Sequence, residues 1–278
     1  KLEGTVTPPS NVSDSSGASS KKENFLLPIF FYVSPVVDNF RFGLALVSPA
    51  GLTKRWDEQP GKASAEEFSL MTYEVNPTVA YKVSETFSVG AGLRMIYSDG
   101  TAKSMAPVTS GLLARDMSGD GLDFGYNLAL TYKPLKELRL AATYRSNIDL
   151  DIEGDATLSA IDGSSYVGPV SVSLPAPATL NLAAAYTFNQ TTTVEFVYDR
   201  AYWSECKTLD FEYQGNTLSM DGSVLLTGAF NDPIAKNWTD TDTYRLGVTH
   251  KYNSEWTAMA GLVYFETPMP EQTLNFEQ

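Results

Sequence analysis

The stretch from Gly119 to Asp155 constrains the fold of this chain more than any other. In its first arm Leu122, Phe124, Tyr126, Leu128, Leu130 and Tyr132 alternate with Asp123, Gly125, Asn127, Ala129 and Thr131. A period of two sends one set to each face of a strand. The turn Lys133-Pro134-Leu135-Lys136-Glu137 follows, and then Leu138, Leu140, Ala142, Tyr144 and Ile148 alternate with Arg139, Ala141, Thr143, Arg145 and Asn147. Each arm exceeds the roughly five or six residues of an ordinary soluble strand and reaches the ~9–11 that cross a bilayer at a tilt. The pattern predicts an all-β chain, an antiparallel transmembrane β-barrel.

Composition agrees with that prediction. Charged residues make up 19% of the 278, while Tyr (15), Phe (14) and Gly (20) are plentiful. Mean hydropathy is -0.16, as expected when apolar residues occupy alternate positions. No helical span is present, since the longest apolar run, Phe25 to Val37, is broken by Pro28, Ser34 and Pro35. A net charge of -13 argues against nucleic acid, which needs a basic stripe. Cys206 has no second cysteine for a disulfide or a zinc site. Lys1-Leu2-Glu3-Gly4 carries no apolar signal region, so an exported protein would have had its start processed or cut away.

In chain order, Thr5 to Lys22 is rich in Ser, Gly and Pro without periodicity, and reads as a mobile loop. Strands are expected at Glu23–Ser34 and Asn39–Ser48, where Phe40, Phe42, Leu44 and Leu46 alternate. A polar loop, Leu52 to Ala65, leads to Glu66–Lys82, and Phe87, Val89, Ala91, Leu93, Met95 and Tyr97 then mark a further strand. A loop of about twenty residues is expected before the central hairpin, and Gly154 to Val170 reads as another loop. Ser171–Phe188 and Thr191–Tyr202 form the next pair. Trp203 to Asn237 reads as an extracellular loop insertion with its own hairpin, Thr208–Tyr213 against Thr217–Leu226. Thr241–Tyr252 and Glu255–Glu266 close the series, for about ten long strands.

Tight turns near Asp38, Ser84, Leu135, Asn189 and Asn253 alternate with long connections. Short periplasmic turns and long extracellular loops are the asymmetry of an outer-membrane barrel. Aromatic residues at strand ends, among them Tyr97, Tyr132, Tyr186, Tyr252 and Trp256, suit an interfacial girdle. A soluble sandwich would alternate in the same way. The charges favour the barrel, because Arg94, Arg145, Glu195 and Arg245 all fall opposite the apolar set, where a polar interior would receive them. A lipid-facing Arg would cost roughly 2–4 kcal/mol.

A series of short motifs then carries a family likeness. Gly125-Tyr126-Asn127, Thr143-Tyr144-Arg145-Ser146, Glu153-Gly154, Ser173-Leu174-Pro175, Trp203-Ser204 and Thr243-Tyr244-Arg245-Leu246-Gly247 are followed by Trp256 and Pro268-Met269-Pro270. In order and spacing, from near Gly4 to the last residue, the chain resembles the FadL/TodX outer-membrane transporters of long-chain fatty acids and hydrophobic compounds. The resemblance implies a barrel of about fourteen strands with an N-terminal hatch in its lumen. The hatch and its Asn-Pro-Ala motif are missing here, and the chain stops about three strands short of closure. Residues 1–278 thus read as one barrel domain incomplete at both ends, an internal fragment.

For mechanism the resemblance implies capture at an outer groove, an interior pocket, and sideways release through a kinked third strand. The matching place is Ser48-Pro49-Ala50-Gly51, where Pro and Gly weaken a ladder; a strand simply ending in a loop fits the same residues. The family's pocket uses basic side chains, and Lys103 stands near one such position while Thr241 replaces a lysine at another. Arg94 and Arg145 are alternative interior cations for a carboxylate, or members of structural networks with Glu195 or Asp123. Ile29 and Phe31, on a strand apolar on both faces, would line the ligand. Neutral hydrocarbons remain open as ligands.

Other constellations weigh less. Asp116 to Gly121 opens like a calcium loop, but its twelfth position is Asn127 rather than the bidentate Glu. The lone His250 has no second ligand or nucleophile beside it, so no metal, cofactor or enzyme activity is expected. The sequons at Asn11, Asn189 and Asn237 carry no weight in a bacterial outer membrane. Expected partners are the bilayer and a hydrophobic ligand, the barrel being a monomer. The alternative is a surface or adhesion barrel acting through its long acidic loops.

Overall fold

The computed structural model describes residues 20–22, 27–58, 61–108, 111–160, 165–214, 230 and 233–273. The lower part of the chain runs β1 Phe30–Val33, β2 Phe40–Val47, β3 Gly51–Arg55, α1 Gly61–Ala65, β4 Glu67–Lys82, β5 Phe87–Val108, β6 Gly111–Tyr132, β7 Leu138–Arg145 and β8 Ile148–Ala160. It continues as β9 Ser165–Ala176, β10 Thr179–Phe188, β11 Thr192–Ala201, β12 Thr208–Leu209, β13 Phe211–Tyr213, β14 Ile234–Ala235, β15 Thr241–Lys251 and β16 Thr257–Phe265. One sheet carries the order β1-β2-β4-β5-β6-β7-β10-β11-β15-β16, which correspond to the ten strands of the alternation, the first of them only four residues long. Neighbours along this order pair antiparallel. β1 and β16 are its edges, and no pairing joins them among the described residues.

The outer face is what lipid requires. Leu122, Phe124, Tyr126, Leu128, Leu130 and Tyr132 are all exposed on β6, as are Leu93 and Tyr97 on β5. The turns at one end are tight, with Asp38 at φ 54 and Asn189 and Gln190 at φ 48 and 59, the left-handed region that Asn and Asp tolerate. Aromatic side chains meet across strands near these ends, as Phe87 with Tyr132 and Phe40 with Tyr81 do.

Above the band the chain departs from expectation. The region read as a loop of about twenty residues is strand, because β5 runs on to Val108 and β6 already starts at Gly111. Gly154 to Val170 is likewise strand in β8 and β9, apart from residues 161–164, which lie outside the described residues. The physical reason is a change of solvent. Within the membrane the apolar residues point outward, but past Tyr97 the outward positions become Asp99, Thr101 and Lys103 while Ile96 and Ala102 are buried inward. On β8 the inward Ile148, Leu150, Ile152 and Leu158 are buried and Asp149, Asp151, Glu153 and Asp155 alternate with them. In water the apolar face turns to the core.

Further corrections concern single segments. Asp116 to Gly121 is strand within β6, its residues pairing with β5 on one side and most also with β8 on the other. Leu52 to Arg55, the start of the expected polar loop, belong to strand β3, which pairs to β4. Ser171–Phe188 is two strands, interrupted at Pro177 and Ala178. Thr208–Leu209 pairs with Ile234–Ala235, and Phe211–Tyr213 pairs with β9; Thr217–Leu226 lies outside the described residues, as do Thr5 to Ser19 and Asn11. The first strand is Phe30–Val33, shorter than Glu23–Ser34, whose residues 23–26 are also outside.

Irregular points in the ladder are closed by side chains. Three residues, Ser48 to Ala50, face two, Thr72 and Tyr73, in a β-bulge. There Ala50 N donates to Thr72 Oγ1 at 3.1 Å, and the hydroxyl donates back to Ala50 O. The β4–β5 ladder skips Asn76 and Pro77, and Asn76 Nδ2 donates to Leu93 O at 2.8 Å. A second bulge lies where β6 changes partner from β7 to β8; Tyr126 N donates to Ser146 Oγ and Ser146 N to Tyr126 O, at 3.0 and 2.9 Å.

Close packing above that bulge needs glycine. Gly119 and Gly154 face each other, and a Cβ on Gly154 would lie 2.0 Å from Ser118 O and 2.5 Å from Gly119 Cα. Gly154→Ala is expected to lower the unfolding free energy by about 1–3 kcal/mol, read as a reduced denaturant midpoint in detergent. Gly247→Ala, where a Cβ meets nothing within 4 Å, is the matched control and shifts the midpoint by less than ~0.5 kcal/mol.

Candidate functional site

A cavity of about 800 Å³ lies on the inner side of the sheet. Leu70, Ile96, Leu150 and Leu174 give it an apolar wall, while Arg94, Arg145, Arg200 and Arg245 bring charge. Arg94 and Arg245 alternate with the outward Leu93, Tyr244 and Leu246, so the period that builds the outer band delivers charge inward, while Leu150 alternates with the water-facing Asp149 and Asp151.

The deepest charge cluster is a triad. Glu74 on β4 is 1% exposed. Arg94 on β5 donates to Glu74 Oε2 from Nε at 3.2 Å and from Nη2 at 3.0 Å, and its Nη1 donates to Ser146 O at 2.7 Å. Arg145, at the end of β7, donates from Nη2 to both Glu74 oxygens at 2.8 and 2.7 Å. Two guanidinium groups on one carboxylate leave one positive charge in excess. Arg94 is sealed at 4% exposure, whereas the Arg145 side chain is 35% exposed and lines the cavity. Beside the triad Asn76 Nδ2 also donates to Asn127 Oδ1 at 2.7 Å.

The cations at the other side have their own carboxylates. Arg200 donates to Asp240 at 3.1 Å and to Asp242 at 3.2 Å, and the Tyr198 hydroxyl donates to Asp242 at 2.8 Å. Arg245 pairs with Asp199. Over this end lies the segment after β11. Trp203 and Trp238 meet edge to face at 4.9 Å, and Cys206, Leu209 and Lys236 are buried in the cavity wall. Ser204, through its hydroxyl and its backbone N–H at 3.0 Å, holds the Asp240 carboxyl below its ordinary pKa, with help from Arg200. Burial pushes the Cys206 thiol up, against a smaller downward pull from Lys236.

The structure brings several of the expected site residues together. Arg94 and Arg145 share the triad, and Pro49, Ala50, Gly51 and Thr241 line the same cavity. Pro49 and Ala50 sit in the β2–β3 bulge, which adjoins the cavity. Lys103 is elsewhere, with its Nζ 3.1 Å from Asp116 on the outer side of β5 and β6. Ile29 and Phe31 are exposed at the β1 edge and do not line the cavity. The partner of Arg94 and Arg145 is Glu74 and not Glu195 or Asp123; Asp123 Oδ2 instead accepts from Asp151 N at 3.1 Å. Sequence reasoning passed over Glu74 and Thr72, although Thr72, Glu74 and Asn76 are polar at every second position of one strand. Among the described residues no group of three or more His, Cys, Asp or Glu could hold a metal.

The family described as outer membrane protein transport protein (OMPP1/FadL/TodX) matches residues 3–277. The long-chain fatty acid transport protein of Escherichia coli O6:H1 is 25% identical over 93% of this chain, which spans 65% of that relative's length. In fold the chain is similar to a Pseudomonas aeruginosa FadL homologue, with TM-score 0.77 and 22% identity over 90% of this chain and 62% of that one. It is also similar to the Ralstonia pickettii toluene transporter TbuX, with TM-score 0.72 and 21% identity over 91% and 73%.

Two outcomes follow from the cavity wall. Glu74→Gln leaves the buried Arg94 and the partly exposed Arg145 without their carboxylate and is expected to cost about 3–5 kcal/mol of stability, measured by denaturant unfolding; replacing Glu74, Arg94 and Arg145 together by Met costs less than Glu74→Gln alone. Cys206 in the folded protein is expected to resist a maleimide at neutral pH and to react promptly after denaturation, followed by mass spectrometry.

Proposed function

The chain belongs to the outer membrane protein transport family (OMPP1/FadL/TodX), and from that premise we propose that it carries long-chain fatty acids or other hydrophobic small molecules. The family is one of outer-membrane transport proteins and not of enzymes. The observation that carries the ligand reading is the cavity itself, about 800 Å³ with apolar walls and one guanidinium, Arg145, in excess over its carboxylate. That volume is within the roughly 300–1,000 Å³ of small-molecule sites, and a guanidinium edge suits a carboxylate. Toluene transport by the similar TbuX keeps neutral hydrocarbons as an alternative cargo.

Release sideways through the wall at Ser48–Gly51 is the second part of the reading. It is supported by the bulge there, by its place on the cavity, and by closure through the Thr72 side chain in place of ladder bonds. A side chain reorients without unzipping strands, so this patch opens at lower cost than a regular ladder. A surface barrel acting through acidic loops has less support, because the apolar residues in the described part of 203–237, Cys206, Leu209 and Phe211, are buried against the interior while the residues between them face water.

The test is extraction of the protein in a detergent without an acyl chain, followed by mass spectrometry of bound lipid. A long-chain carboxylate is expected, falling at least about tenfold on Arg145→Met. A neutral hydrocarbon, unaffected by that change, would keep transport and remove the carboxylate clamp; an empty cavity across preparations would overturn the reading. For the exit, a disulfide between Ala50→Cys and Thr72→Cys is expected to stop uptake while ligand stays bound. Uptake unchanged by the cross-link would rule the exit out.

A further inference from the structure

Two hydroxyls stand directly opposite each other on the inner face of the sheet, and one of them has no partner. Thr72 on β4 and Ser98 on β5 are cross-strand neighbours, both at 0% exposure. The period that exposes Tyr97 turns Ser98 inward beside Thr72. Thr72 Oγ1 accepts from Ala50 N at 3.1 Å and donates to Ala50 O, which seals the Ser48 to Ala50 bulge. Ser98 Oγ makes no hydrogen bond among the described residues. A buried hydroxyl left unpaired is unfavourable, and native structures hold few of them. With the bulge sealed, Ser98 gains nothing that alanine would lack.

The geometry supplies a use for it. Residues directly opposite on one face have Cβ atoms about 4.5–5.5 Å apart, so a rotation of the Thr72 side chain brings its hydroxyl to Ser98 Oγ. Thr72 has one oxygen, and turning it toward Ser98 releases both Ala50 bonds together. The Ala50 carbonyl is not then stranded, because the Ser48 hydroxyl also donates to it, at 3.5 Å. Ala50 and Thr72 both line the large cavity. The released N–H therefore lies at the wall of that space.

We propose that Ser98 is the second seat of a hydroxyl switch. In one rotamer Thr72 seals the bulge at Ala50; in the other it pairs with Ser98 and frees the bulge. Ser98 thus favours the open form twice over, since its hydroxyl is unpaired when the bulge is sealed and paired when it is free. The proposal rests on the reading of Ser48–Gly51 as the exit and adds the residue that sets how often it opens.

The test follows exchange of the Ala50 amide hydrogen by NMR, with the whole protein in detergent, since that N–H donates to Thr72 Oγ1. Ser98→Ala is expected to slow this exchange about tenfold, the scale of one hydrogen bond lost from the open form. Ser98→Thr keeps the hydroxyl and should leave the rate close to that of the unsubstituted protein. The Tyr126 amide, held by Ser146 Oγ at the other bulge, is the control and should not change. With Thr72→Val the switch has no moving part, and adding Ser98→Ala should have no further effect. Ala50 exchange that is unchanged or quickened by Ser98→Ala, or slowed just as much in the Thr72→Val protein, overturns the assignment. Uptake of a fluorescent long-chain fatty acid by cells producing the Ser98→Ala protein should slow in step with exchange. Failure of the exit reading is separate, because Ala50 exchange would then slow while uptake stayed the same.

Discussion

Inside a bilayer no water is present to satisfy a backbone N–H or C=O, and this one requirement governs the structure. It forces the antiparallel ladder through ten strands and explains how the ladder tolerates faults. Where Ser48 to Ala50 exceed their partners by one residue, Thr72 bonds both the N–H and the C=O of Ala50. Where Pro77 has no N–H to give, the neighbouring Asn76 amide serves the Leu93 carbonyl. Where β6 changes partner, Ser146 and Asp123 receive backbone N–H groups from Tyr126 and Asp151. Each repair is made by a short polar side chain beside the fault.

Charge obeys the same rule on the inner face. A guanidinium cannot face lipid cheaply, so Arg94 and Arg145 turn inward, and a cavity wall of low polarity then demands a carboxylate for them. Glu74 answers both. The stoichiometry of two cations to one anion leaves one positive charge in excess at the cavity wall, and Arg145 is the more exposed of the two cations. The Arg200 cluster, with Asp240 and Asp242 around one guanidinium, has no such excess. Family membership thus acquires a local chemistry here: an apolar chamber with one charged corner, next to a bulge in its wall.

The two halves of the long strands show how solvent decides which face is apolar. Below Tyr97 and Leu122 the outer face is aliphatic and aromatic; above them it carries Asp99, Asp116 and Asp120, while Ile96, Leu113 and Met117 are buried inside. Burying apolar groups is favourable in either direction, and only the location of lipid selects the direction. This swap also creates the roof of the cavity, since the inward apolar set of β8 and β9 meets Leu209 and Phe211 from the segment after β11.

By itself the sequence determined the period, the tight turns, the number of long strands and the inward placement of charge, because alternation and turn chemistry are local properties of neighbouring residues. It also determined the family, through motifs spread along the whole chain. The tertiary structure alone decided which carboxylate meets which arginine, since Glu74 and Arg145 are separated by 71 positions and alternation says only that both face inward. It alone decided that the stretches around Asp116 and Gly154 are strand, because the reversal of the apolar face cancels the outward signal where water replaces lipid. And it alone set Pro49 and Ala50 against the same cavity as Arg145, while leaving Lys103 outside, because register across several strands depends on bulges that no single strand records.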